Sequence, residues 1–482
     1  LLITEGGGDA VTKKMAERIT ELAAAGDLRG LTKFAEKGMT ARTLDAVQEA
    51  WINGLLSNPI THMANTVSNF LTLGQLVVER RAAESMGGEV AAGEALAMLH
   101  GITAGWRDAF RYAWKTAKTG ESGFGIGKLE VPRQRAISSE NFQLSQDTLL
   151  GRAGSALLNM TGSIVNSPGR ALETADEFFK TLGYRMELHA LAHRQALDDL
   201  ASGRITGDQV KARYAEILEN PPADFQLSSR QFAEMATFTN DPGKFARYLS
   251  SGAGQFRLMR FITPFIRTPA NIMTYSFERT PLAPLVGRWR ADIAAGGARR
   301  DQALARMAVG TFTLLSMTDL AMSGQITGAG PSDRGQLATL RRMGWQPYSV
   351  KVGDKWYSYR RTDPAGALLG YAADLGEYLS NVGDDTEDGS IEKLIAVGCA
   401  SFASTMLSKT YMQGPSDLFE VMSDPKRYAP LWFRRQAASV VPAGVANAAR
   451  AVDPVQREAQ GMLDAMRARV PALSKDLPPV RD

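Results

Sequence analysis

The sequence predicts a mainly α, multi-helix chain carrying one small β-hairpin, and three observations lead there. Apolar residues recur at helical spacing through most of the length, as with Trp106, Phe110 and Trp114, each four apart. Asparagine, threonine and proline punctuate those runs where helices should open. Only about 348–360 alternates as strands do, around a two-residue turn with glycine first, Gly353-Asp354. An isolated hairpin is marginal, so it should pack on helices. The organisation expected is an elongated multi-domain assembly subunit: an N-terminal helical region (1–120), a central helical region (121–240), a basic Thr-Pro/Arg element plus an apolar helix (241–345), and the hairpin with a C-terminal helical region (346–482).

In order, amphipathic helices are expected over Asp9 to Ala25, Leu31 to Lys37 and from Thr40 onward. Pro59 should open the next helix with Asn58 as its cap. Along that helix Asn58, His62, Asn65 and Asn69 form a polar ribbon, with Ile60, Met63, Val67, Phe70 and Leu71 over much of the rest. Buried amides must find partners, so the ribbon either fixes register between helices or subunits, or forms an internal network. Val90 to Lys118 follows as a helix whose Trp106/Phe110/Trp114 stripe is expected in a core. The loop from Gly120 to Lys128 lacks a phosphate-cradling pattern, because Ser122 and Leu129 stand where glycine and a hydroxyl are needed. After a mixed stretch, Asn141 to Thr161, Ser167-Pro168 opens a strong helix ending at Gly203. His189 and His193 have the spacing of zinc ligands, but no base lies between them, and Glu187 and Asp176 read as ordinary residues of a charged surface.

The organising stretch is Phe256 to Arg290, FRLMRFITPFIRTPANIMTYSFERTPLAPLVGRWR, with Thr-Pro three times. Each threonine can cap a short helix that its proline begins. Arg257, Arg260, Arg267 and Arg279, with Phe261, Phe265 and Ile266, are the candidate residues facing an assembly partner, a membrane or DNA. The alternative is a buried helical elbow with snorkelling arginines. Met307 to Met322 follows as a core or interfacial helix, or secondly as part of an assembled pore. Pro364 to Leu379 is helical. The acidic turn at 384–389 begins like a calcium loop, but Ile395 occupies the position that needs a carboxylate. Small residues suit 391–412 to close helix contact, and the tail from Pro425 is helical and basic.

Charge is near balance, at +4, which gives no argument for nucleic-acid binding from the total. Its distribution is uneven: Gly243 to Arg306 holds 11 Lys/Arg against 3 Asp/Glu, whereas Asp374 to Glu392 holds seven acids and no base. Such segments suit subunit matching or a nearby polyanion. One cysteine, Cys399, excludes an intrachain disulfide and is expected as a small buried residue. A start at Leu1 points to part of a longer chain. No motif assembles a catalytic set, a cofactor site or a metal site, so a non-enzyme without cofactors is expected.

Several phrases together resemble a known family: LLSNPITHMANTVSN at 55–69, RALETADEFFKTLGYRMEL at 170–188, RFITPFIRTPANIMTYSFERTPL at 260–282, KWYSYRRTDPAGALLGYAADL at 355–375, and the closing VPAGVANAARAVDPVQRE and ARVPALSKDLPPVRD. The chain resembles a region of the internal virion (DNA-ejection) proteins of tailed bacteriophages, also found in large polyvalent phage proteins, from about residue 45 to the end. The resemblance implies a helical protein stored in the capsid interior and expelled at infection into the host envelope and periplasm. There it would join a homo-oligomeric ring with other ejection proteins and the portal, and help form a channel for phage DNA, with host membrane contact. Some relatives carry a transglycosylase or RNA polymerase domain elsewhere, and nothing in this chain matches either. A tail-tube or tape-measure-like component, and then an envelope-degrading enzyme, are the alternatives.

Overall fold

The computed structural model describes residues 39–120, 122, 123, 136–142, 144, 147–241, 243, 265–331, 333–382, 398–402, 405, 417, 420, 421 and 423–480. These residues are mainly helical, with one two-stranded antiparallel sheet. The helices expected over Asp9–Ala25 and Leu31–Lys37, most of the loop to Lys128, and the acidic turn at 384–389 lie outside the described residues.

Helix α1 spans Met39–Leu56 and α2 Pro59–Ser85. Asn58 caps α2 as expected, its side chain accepting from Ile60 N at 3.0 Å. Helix α3 (Glu94–Thr119) starts four residues later than the expected Val90, because Gly93 at φ 97° holds the left-handed turn before it. The stretch read as mixed holds most of α4 (Leu149–Val165), opened by Thr148, whose hydroxyl accepts from Gly151 N. Next come α5 (Ser167–Ala201), α6 (Val210–Glu219) and α7 (Ala223–Ala236), then α8 (Arg267–Phe277), α9 (Gly287–Ala295) and α10 (Gly297–Met322). After α11 (Arg334–Arg342), strands β1 (Ser349–Val352) and β2 (Lys355–Ser358) pair with Val350 opposite Tyr357. Of the two turn residues only Gly353 has positive φ, as a turn with glycine first requires. Helix α12 (Ala365–Val382) is followed by α13 (Pro425–Ser439), α14 (Ala443–Val452) and α15 (Met462–Arg467).

The main core draws Leu73 and Leu76 from α2, Met98 and Ala109 from α3, Phe179 and Met186 from α5, and Ile272 and Tyr275 from α8. Helices from three of the four stretches delimited by sequence thus share one apolar centre. Two smaller cores join α10 to α12, through Leu314 with Tyr371 and through Ala321 with Ala373. The second of these takes in Tyr348 and Tyr359, which is how the hairpin packs on helices.

Helix α3 corrects the sequence reading. Trp106, Phe110 and Trp114 do not enter the core, and Trp114 is 64% exposed. The face turned to α5 is instead Gly101, Gly105, Ala109 and Ala113. A Cβ at Gly101 would sit 2.6 Å from the Arg185 carbonyl oxygen, so only glycine lets the two backbones approach this closely. Large aromatics cannot fit there and are turned outward. Cys399, expected buried, is half-buried.

Candidate functional site

Of the seven residues proposed to face a partner, Arg257, Arg260 and Phe261 lie outside the described residues. Phe265 is half-buried against Ile52, Leu56 and Leu172, while Ile266 and Arg267 are half-buried where α8 begins. The Thr-Pro pairs do not cap helices as expected. The pair at 263–264 lies outside the described residues, and Thr268 sits inside α8, which opens at Arg267. The short helix Ala283–Leu285 starts two residues after Pro281 without a side-chain cap. The Thr280 hydroxyl instead accepts from Leu282 N at 3.2 Å and donates to Phe277 O at 2.9 Å.

Arg279 corrects the outward reading, because it is fully buried. Its Nε and Nη2 donate to the two oxygens of Glu79 on α2 at 2.7 and 2.6 Å, and Nη1 donates to Tyr275 O at 2.9 Å. The guanidinium also lies 3.2 Å from the Tyr275 ring centroid. This planar fork is satisfied on three sides within the protein, which leaves it nothing to offer a neighbour.

The pair belongs to a buried run of charges. Next to Glu79, Arg80 donates to Glu94 of α3 at 2.7 Å and to Glu187 of α5. Arg194 holds both oxygens of Glu94, at 2.6 and 2.7 Å. Next to Arg279, Glu278 receives both donors of Arg288 at 2.6 and 2.7 Å, and Arg306 bridges Glu278 to Asp292. Burial works against the Glu94 and Glu278 carboxylates, but their arginines outweigh it and hold both below the usual range. Glu187 and Asp176, read as surface residues, are buried, the latter with the fully buried Lys180 at 2.9 Å. Desolvation consumes much of what buried pairs gain, so their main effect here is to fix which helices meet and in what register.

The polar ribbon is turned inward. Asn58 and Asn69 are buried, His62 and Asn65 half-buried. Asn69 is 1% exposed, and its Nδ2 meets no partner among the described residues. Its neighbours on the inner face include Ser68, Thr72, Glu79 and Arg80. The outer face of α2 carries Met63, Val67, Phe70, Leu71 and Val78, all exposed, Met63 to 68%. Helix α4 likewise exposes Leu150, Leu157, Met160 and Ile164, and α10 exposes Phe312 and Leu315.

A second buried polar cluster ties the loop before the hairpin to α12. Glu377 accepts from Gly328 N and Gly330 N at 2.7 and 3.0 Å, and Asp374 accepts from Ala329 N at 2.8 Å. Thr405 and Tyr348 hydroxyls donate to the other Asp374 oxygen. Burial pushes Asp374 from 3.8 up to about 6, against the pull of those hydrogen bonds, and raises Glu377 too. A carboxyl with a raised folded-state pKa stabilises fully below its unfolded value, and that contribution is lost as pH climbs through the folded one. Asp374→Asn is therefore expected to flatten the fall in stability between pH 3.8 and about 6, worth about 3 kcal/mol. Urea unfolding across that range reads it, and an unchanged slope in the variant would refute the assignment. On α5, His189 donates to or accepts from the Tyr214 hydroxyl at 2.6 Å; burial, with His100 and Arg185 nearby, pushes it down to about 4 and keeps the imidazole neutral.

A cavity of about 620 Å³ opens between α3, α5 and α7, lined in part by Tyr112, Glu177, Tyr184 and Arg230. Glu177 is already bonded to the Ser122 hydroxyl and to Gly123 N, at 2.6 and 2.9 Å. Among the described residues no group of three His, Cys, Asp or Glu is placed to hold a metal, and no helix is long and apolar enough to cross a membrane. Comparison with protein-family models, with curated proteins and with solved structures finds no match.

Proposed function

We propose that the chain is a structural, non-enzymatic subunit of a tailed-phage virion: an internal ejection protein, stored in the capsid and expelled to help form a channel for DNA across the host envelope. One observation carries the assembly part of this reading. Helix α2 buries amides, hydroxyls and charges and exposes a row of large apolar side chains, while α3, α4 and α10 also present apolar rows outward. Contiguous apolar surface of this kind is covered in a protein's working state. Copies in a ring, together with neighbouring virion proteins, would cover the rows of α4 and α10, and the host envelope those of α2 and α3. The phage assignment is supported by the phrases at 55–69, 170–188, 260–282 and 355–375.

Cryo-electron microscopy of virions carrying the chain is the test. Expected is ring-symmetric density around the DNA axis inside the capsid, lost after genome release. Density along the tail instead would favour a tail-tube or tape-measure component. Digestion of peptidoglycan by the purified chain would overturn the non-enzymatic assignment.

A further inference from the structure

Helices α2 and α3 together are built opposite to a water-facing pair. From Pro59 to Val78, 20 residues, α2 has no Asp, Glu, Lys or Arg. Its outer row of Met63, Val67, Phe70 and Leu71 continues onto α3 through the Phe70 and Trp106 rings, 6.5 Å apart. The outer row of α3 is Leu96, Leu99, Trp106, Phe110 and Trp114, all exposed and spaced three, four or seven apart. One position round the helix runs a second row, Arg107, Arg111, Lys115 and Lys118, also exposed. Between Ala95 and Thr119 the one acid is Asp108, already held by Arg185 and Arg111. Inside, α3 contributes mostly small residues beside Met98, and α2 sets Ser68, Asn69, Thr72, Glu79 and Arg80 beside Leu73 and Leu76. Small and polar residues inward with large apolar residues outward is the pattern of helices whose outer medium is apolar. Tryptophan beside lysine and arginine belongs at the boundary between hydrocarbon and headgroups.

We propose that this face beds into the headgroup layer of an anionic lipid bilayer, with α2 and α3 lying along the surface and the cationic row meeting lipid phosphates. Charge selects this occupant. A second copy seated on the same face about a two-fold axis would repeat its own contacts and bring like-charged rows close. Nucleic acid would satisfy the cations but leave Met63, Val67 and Leu71 in water. The proposal deepens the ejection reading by naming what covers one face, and rests on it only for the presence of an envelope. Failure on vesicles leaves the virion experiment to decide that reading, and failure in virions leaves the vesicle result standing.

The test is sedimentation of the full chain with vesicles of phosphatidylglycerol mixed into phosphatidylcholine, and with phosphatidylcholine alone. Binding to the anionic vesicles should be about tenfold tighter or more, and should weaken as salt is raised. The variant Arg107→Gln/Arg111→Gln/Lys115→Gln/Lys118→Gln should bring anionic binding down to the neutral level. Trp106→Ser/Phe110→Ser/Trp114→Ser should weaken binding about tenfold or more on anionic vesicles. Phe312→Ser/Leu315→Ser, on α10, should bind as the unaltered chain does. Equal affinity of the unaltered chain for both vesicles, or salt-insensitive binding, overturns the proposal without reference to any variant. So does lipid-free self-association that buries the tryptophans, or loss of binding in the α10 variant alone.

Discussion

Arg279→Met is expected to destabilise the folded chain by about 3–5 kcal/mol, because it strands the buried Glu79 carboxylate without its partner. The methionine fills much of the arginine's volume, so the loss reports charge rather than a cavity. Glu79→Leu in the same chain should recover most of it, since an apolar pair of similar size needs no desolvation. Urea unfolding of the three chains measures this. A single-variant loss below about 1 kcal/mol would mean that the pair is solvated and behaves like a surface bridge.

Gly310→Ala is expected to have the next largest effect. Its Cβ would lie 2.1 Å from the Arg279 carbonyl oxygen and 2.5 Å from the Arg279 Cβ. Backbone cannot yield as a flexible side chain does, so α10 must move away from the end of α8, at about 1–3 kcal/mol. Gly74→Ala is the control: it is an exposed helical glycine with nothing within 4 Å of the added carbon. That change should stabilise by about 0.5–1 kcal/mol through helix propensity and a less free unfolded chain. Equal effects at the two sites in thermal unfolding would rule out the close approach at Gly310. Because Gly310 touches Arg279, the two destabilising changes should not add when combined.

Local features were legible where they depend on neighbours in the chain. Asn58 before Pro59 and glycine first in the 353–354 turn act through atoms one or two residues away, and each behaves as its type requires. The periodicity of α2 was legible too, with amides on one side and apolar residues on the other. Which side faces inward was not. That depends on Glu79 and Arg80, whose partners lie 200 and 107 residues away at Arg279 and Glu187. Nothing in the spacing of those residues marks them as a set. A glutamate and an arginine on separate helices look like ordinary surface charges until packing joins them. The outward stripe of α3 has the same cause, since Gly101 and Gly105 in sequence look like helix weaknesses and become meaningful only against the Arg185 backbone.

The sequence by itself determined a mainly helical chain with one hairpin, because hydrogen bonding, capping and turn geometry are settled within a few residues. Tertiary structure alone decided the direction each amphipathic face points, because burial is a contest between distant partners. Here bidentate arginine–carboxylate pairs and close glycine contacts share the interior with Leu73, Leu76 and Met98. Met63, Val67, Phe70 and Leu71 of α2 and the aromatic row of α3 were left on the surface, where their function must be sought.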